Sequence, residues 1–130
     1  MNQRLGLSTL VVHNYDAAIE FFVGKLGFNL VEDTTIEAEN KRWVVVAPAG
    51  KSQPGLLLAE ATSPEQGAVV GNQAGGRVAF FLYTDNFQRD FVTYTDKGVR
   101  FVRQPVKQDY GTVAVFEDIC GNLWDLIEPA

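Results

Sequence analysis

Apolar and polar positions along this chain follow two periods, one of two residues and one near 3.6, and the order in which they alternate occurs twice. Residues 4–12 (Arg-Leu-Gly-Leu-Ser-Thr-Leu-Val-Val) read as a strand. Asn14 follows as a helix N-cap, because its side-chain oxygen can accept from the exposed amides of a first helical turn. Ile19, Phe22, Val23 and Leu26 form an apolar stripe at helical spacing, and Gly27 stands where a left-handed residue ends a helix, so the pattern predicts a helix over 15–26. Strand-like runs cover 28–36, 42–48 and 55–61, with Pro48 and Gly50 marking a turn between the last two. Residues 62–76, rich in Gly, Ser, Pro, Gln and Asn, have the composition of a linker. The order then restarts. A strand is predicted over 77–84, followed by a helix capped by Asp85 or Asn86, with the stripe Phe87, Phe91 and Tyr94 and a stop at Gly98. Strands over 99–104, 112–117 and 123–128 complete the chain.

The restart is an internal duplication that can be followed residue by residue. Tyr15, Ile19 and Phe22 recur 72 positions later as Phe87, Phe91 and Tyr94. Gly27 and Gly50 recur 71 positions later as Gly98 and Gly121, and Leu58 and Glu60 recur 68 positions later as Leu126 and Glu128. The fold class is therefore α+β, built from two βαβββ modules over 1–61 and 77–130. One such module buries too little apolar surface to stand alone. Two modules packed side by side are expected to join into a concave mixed sheet, one domain over 1–130 with a ligand pocket between the halves.

Composition narrows the partners. With 130 residues, 46% of them hydrophobic, the chain fits one packed core. A net charge of −5 argues against nucleic acid, which needs a basic face, and against anionic membrane surfaces. It leaves a small anionic ligand open, since one or two local cations suffice. No stretch approaches the roughly 20 apolar residues that span a bilayer. Met1-Asn2-Gln3-Arg4 runs into a strand without the apolar core of a signal peptide, and Cys120 is the only cysteine, which excludes an internal disulfide and a cysteine-based zinc site. These features point to the cytoplasm. Neither a phosphate-binding loop nor a dinucleotide fingerprint is present.

Two segments carry a resemblance. Val12-His13-Asn14-Tyr15-Asp16-Ala17-Ala18-Ile19-Glu20-Phe21-Phe22 with Leu26-Gly27-Phe28 is similar to an opening V-x-D-x-x-x-(A/S)-x-x-F-Y…L-G-F. Tyr110-Gly111…Phe116-Glu117-Asp118-Ile119-Cys120-Gly121-Asn122…Leu126-Ile127-Glu128 is similar to a closing Y-G…F-x-D-P-x-G-N…L-x-E. Both resemble the vicinal-oxygen-chelate superfamily, which holds glyoxalase I, extradiol dioxygenases, fosfomycin-resistance enzymes and bleomycin-binding proteins. Asn14 stands for the usual Asp, Phe22 for the usual Tyr, and Ile119-Cys120 for the usual Pro-Asp. The resemblance implies a fold and a homodimer, but not a reaction.

It also implies where a divalent metal would be held. The four ligand positions carry over to Leu7, Leu57, Ala79 and Asp125, of which only Asp125 can donate. A slip of one residue gives Gly6 or Ser8, Leu56 or Leu58, and Val78 or Phe80, and restores neither His nor Glu. The expectation is a protein with no metal and no cofactor. Strand alternation puts Leu7, Thr9, Val11, Leu57, Ala59, Ala79, Phe81, Tyr83, Leu123, Asp125 and Ile127 on the ligand face, an apolar and partly aromatic lining with one carboxylate. Tyr83 is a hydrogen-bond candidate for Asp125. Arg42 and Trp43 are further ligand-binding candidates, although neighbours on a strand point opposite ways and only one can face the ligand.

Each residue also has a plainer reading. Asp125 reads equally as a solvated or structurally paired carboxylate, and Phe81 and Tyr83 more commonly as packing. Glu60 reads as an exposed strand-end charge, His13 as a surface loop residue and Cys120 as an incidental thiol in a turn. The expected function is binding of an apolar or aromatic small molecule. The alternative is an enzyme, a lyase or dioxygenase that uses a metal or that uses Asp125 as its catalytic acid or base.

Overall fold

The computed structural model describes residues 1–50 and 54–130. The chain divides into two compact units, Met1–Val70 and Gly71–Ala130. The first holds β1 (Leu7–Val12), α1 (Tyr15–Ile19) prolonged by a π-helical turn (Glu20–Lys25), β2 (Asn29–Ile36), a short 3₁₀ turn (Glu37–Glu39), β3 (Lys41–Ala47), β4 (Gly55–Glu60) and α2 (Pro64–Val69). The second holds β5 (Val78–Tyr83), α3 (Phe87–Asp96), β6 (Phe101–Gln108), β7 (Gly111–Glu117) and β8 (Leu123–Pro129). Each unit contains a βαβββ module with a four-stranded mixed sheet. The strand orders are β1-β4-β3-β2 and β5-β8-β7-β6, with the first pair parallel and the rest antiparallel. The architecture is α+β, as the pattern predicts.

The duplication extends to individual hydrogen bonds. Asn14 Oδ1 accepts from Ala17 N at 2.8 Å, and Asn86 Oδ1 accepts from Arg89 N at 3.0 Å. Of the two caps considered for the second helix, Asn86 is the one used. Glu60 Oε2 accepts from Tyr15 N at 3.0 Å and Glu128 Oε1 from Phe87 N at 2.7 Å. A carboxylate is favoured at a helix N-terminus because it satisfies a donor with no intrahelical partner and opposes the helix dipole. Glu60 is thus half-buried and bound to the first helical amide, not the exposed strand-end charge its position suggested. Gly27 and Gly98 end the two helices at φ +76 and +85.

One face of each sheet forms the core. Leu10, Val44, Val46 and Leu58 are buried with Ala18, Phe21, Phe22 and Leu26 of the first helix. Ala114, Phe116, Trp124 and Leu126 are buried with Phe87 and Tyr94 of α3. The first helix departs from the expected stripe. Its second half widens to i→i+5 bonding, with Leu26 N donating to Phe21 O at 3.1 Å. The wider turn lets the adjacent Phe21 and Phe22 both reach the core at 4% and 0% exposure, and Val23 is only half-buried.

The segment expected to be a linker contains α2. Ser63 Oγ accepts from Gln66 N at 3.2 Å, and Gln66 Oε1 accepts from Thr62 N at 2.9 Å, a reciprocal cap around Pro64 at the helix start. The Ser-Pro-Glu-Gln signal was present but was masked by the surrounding Gly and Asn. Strand β6 also runs four residues past the expected end at 104, through Pro105. Its register shifts between Arg103 and Val106, as required where a residue has no amide to donate.

Candidate functional site

Register fixes which side chains share the sheet face turned away from the helix. In the first sheet one row runs Thr9, Leu57, Val45, Glu32. In the second the equivalent row runs Phe81, Asp125, Val115, Arg103. Each row ends just past a one-residue bulge, at Val31 and at Val102, which are 71 positions apart. A bulge turns the following side chain to the opposite face, so both modules have the device that brings residue 32 or 103 into line. Arg103 is a residue of this face that the sequence reading missed. Alternation counted along β6 is broken at Val102, and only the repeat of Val31 signals it.

The other predicted residues are distributed as follows. Leu7 and Thr9 are exposed and Val11, Leu57 and Ala59 half-buried on this face of the first sheet. Trp43 precedes Val44, which pairs with Leu58 on the core face, so Trp43 lies on the far face and is 37% exposed. Arg42 lies on the core-facing side. Its Nε and Nη2 donate to Asp33 at 3.1 and 2.7 Å, its Nη1 donates to Asp16 at 2.9 Å, and its guanidinium stands 5.2 Å from the Tyr15 ring centroid. Asp33 is held below the usual carboxylate range by that hydrogen bond from Arg42, against a smaller effect of burial. Arg42 therefore ties the start of the first helix to the β2–β3 hairpin. Beside it opens a polar cleft of about 470 Å³, whose lining includes Tyr15, Lys41 and Glu60.

In the second sheet Phe81 and Tyr83 are 58% and 65% exposed, Leu123 and Asp125 half-buried and Ile127 buried. Ala79 falls in an irregularity of β5 between Val78 and Phe80, and Phe81, not Ala79, is the β5 partner of Asp125. The extra residue is absent from β1, where Leu7 to Val12 pair without interruption with Gly55 to Glu60. Tyr83 pairs with Ile127, and among the described residues no hydrogen bond joins Tyr83 to Asp125. The charge that acts on Asp125 is Arg103. Burial pushes the Asp125 carboxyl above its usual range and Arg103 opposes that shift.

A measurable consequence follows for stability. A folded-state pKa above the unfolded value means that ionised Asp125 opposes folding, fully so above the folded pKa and not at all below the unfolded one. Asp125→Asn should raise the urea midpoint at neutral pH, and the gain should shrink as pH falls through the folded pKa and vanish at the unfolded one. A gain that grows with acidity would show that the carboxylate is stabilised as the anion.

The closing motif is structural. Asp118 is 5% exposed, and its Oδ1 accepts from the amides of Cys120, Gly121 and Asn122 at 3.0, 3.1 and 3.0 Å. Its Oδ2 accepts from Asn122 Nδ2 at 3.2 Å and from Trp124 Nε1 at 3.0 Å. Its contacts fasten the turn before β8 and the Trp124 side chain of that strand, which is a structural role.

The four positions at which the resemblance implies metal ligands present two leucines, an alanine and one aspartate. That donor set does not fit a divalent cation, which needs several oxygen or nitrogen ligands. Among the described residues no three His, Cys, Asp or Glu side chains gather closely enough to share an ion, and no helix is long and apolar enough to cross a membrane.

Comparison with known proteins agrees with the architecture. An uncharacterized protein of Shewanella frigidimarina (strain NCIMB 400) is 56% identical over 128 residues, spanning 98% of this chain and 95% of its own. The crystal structure of UcmS2 matches with a TM-score of 0.84 at 29% identity, covering 98% of each chain. That of TnmS3, an antibiotic binding protein from Streptomyces sp. CB03234, matches with a TM-score of 0.80 at 26% identity, covering 99% of this chain and 98% of its own. The sequence profile of one superfamily matches residues 4–126, nearly the whole chain. The chain belongs to the Glyoxalase/Bleomycin resistance protein/Dioxygenase superfamily.

Proposed function

We propose that this protein binds an apolar or aromatic small molecule against the far faces of its sheets and does so without a metal ion. The reading rests on Leu7, Leu57 and Ala79, hydrocarbon side chains where the superfamily's chemistry requires donor atoms. Exposed Trp43, Phe81 and Tyr83 on the same faces supply the flat apolar area that aromatic ligands use. The description of TnmS3 as an antibiotic binding protein favours the same reading. In this proposal Thr9 supplies the polar contact on the far face of the first sheet and Asp125 that on the far face of the second, each for its own sheet, and Arg42 holds the first helix and does not touch ligand. The protein is further proposed to work as a homodimer.

Two measurements test it. Protein purified without chelators should contain well under one divalent ion per chain. A library of aromatic and drug-like compounds should yield ligands that raise the melting temperature, because a ligand of the native state stabilises it by mass action. A tightly held ion lost on Asp125→Ala would overturn the metal-free reading, and a library without a single stabilising compound would overturn the binding reading. One observation favours a second reading. A carboxyl pushed upward by burial is suited to act as acid or base, so metal-free catalysis by Asp125 is the alternative. A turnover whose pH profile disappears in Asp125→Asn would establish it.

A further inference from the structure

Asp125 and Arg103 stand on the same face of the second sheet, on either side of Val115. They are two strand spacings apart, so their Cα atoms are separated by about 10 Å. They act on each other electrostatically, yet no ion pair or hydrogen bond joins them among the described residues. Arg103 is exposed and Asp125 half-buried, and exposed Phe81 continues the row on the other side of Asp125. The equivalent row in the first sheet has Leu57 in place of Asp125 and Glu32 in place of Arg103, and Glu32 is engaged by the Thr34 hydroxyl at 2.9 Å. An opposed acid and base beside an open aromatic side chain is therefore particular to the second module.

Resting on the aromatic-binding reading above, we propose that Asp125 and Arg103 make this face selective for neutral aromatic compounds carrying a paired hydrogen-bond donor and acceptor, such as a carboxamide or hydroxy-carbonyl group. A carboxylate accepts and cannot donate when ionised, and a guanidinium donates and cannot accept. An amide presents N–H to Asp125 and C=O to Arg103 at once, and both bonds are strengthened by the charge on the protein partner. An aromatic acid gains Arg103 but is repelled by Asp125, and an aromatic ammonium gains Asp125 but is repelled by Arg103. The selectivity arises as much from repulsion of both ions as from attraction of the neutral group. The partial burial that raises the Asp125 pKa also makes its unpaired charge costly, which increases the value of a ligand donor.

Isothermal titration of the full chain with naphthamide, naphthoate, naphthylmethylamine and naphthalene at low ionic strength tests this. The amide should bind the wild type tightest, by about fivefold over either ion. Asp125→Leu, which copies the first module's Leu57, should tighten naphthoate by about fivefold and weaken the amine. Arg103→Met should do the reverse. Gains of affinity in opposite directions cannot come from a damaged fold. If all four probes bind alike and neither variant changes their order, the selectivity proposal fails and the aromatic reading stands. If none binds, naphthalene included, the aromatic reading fails with it.

Discussion

Asp118→Ala should cost about 4 kcal/mol of stability and lower the melting temperature by about 15 °C. The carboxylate is the hub of the turn between β7 and β8. Three consecutive amides donate to one of its oxygens, and the Asn122 and Trp124 side chains donate to the other. Hydrogen bonds to a charged acceptor are worth about 1.5–3 kcal/mol each. Several donors at this site are buried, so alanine leaves them without a partner and without water to replace it. Asp118→Asn keeps an oxygen for the three amides but turns an NH₂ toward Trp124 and Asn122, two donors, and should cost about 2 kcal/mol. Urea unfolding, followed by the emission of buried Trp124, checks both values. A loss below about 1 kcal/mol for alanine would mean that the turn holds without its hub.

Gly71→Ala should be nearly as damaging, at about 3 kcal/mol. Gly71 has φ +79, and a Cβ there would lie 2.1 Å from the carbonyl oxygen of Cys120, in the same turn that Asp118 organises. That distance is far inside van der Waals contact and the obstacle is backbone, so either the 71–76 segment or the turn must move. Gly75 is the control. Its φ is +67 with nothing within 4 Å of the added carbon, so alanine there should cost only the left-handed backbone penalty of about 1–2 kcal/mol. Equal losses at the two positions, by chemical denaturation, would show that the contact at Gly71 relaxes freely.

The first of these predictions concerns a residue that the sequence marked for a reason it could not supply. Asp118 and Gly121 belong to the closing motif, but a motif does not distinguish a residue that holds a turn from one that holds a ligand. The hydrogen bonds make that distinction. Glu60 and Glu128 matched under the duplication, yet a strand-end glutamate looks like any solvated charge until folding brings the start of a helix 45 residues away in sequence within 3.0 Å of Glu60. Arg42 looked like a ligand-binding residue because its partners, Asp16 and Asp33, are 26 and 9 positions away and nothing local ties them together.

The sequence by itself determined the elements, their order and the duplication. These depend on periodicity, caps and glycine stops, which act within a few residues and repeat at fixed offsets. It also determined, through residue chemistry alone, that the side chains of Leu7, Leu57 and Ala79 carry no donor atom. The tertiary structure decided which side chains meet on the far face. A bulge at Val102 turned Arg103 into the row of Asp125, an irregularity at Ala79 gave Leu123 the partner Val78 in place of Ala79, and a widened helical turn exchanged Val23 for Phe21 in the core. Each is a one-residue change in register. A one-residue slip alters no local pattern but reverses the face of every side chain beyond it, so only the pairing of strands distant in sequence can specify it.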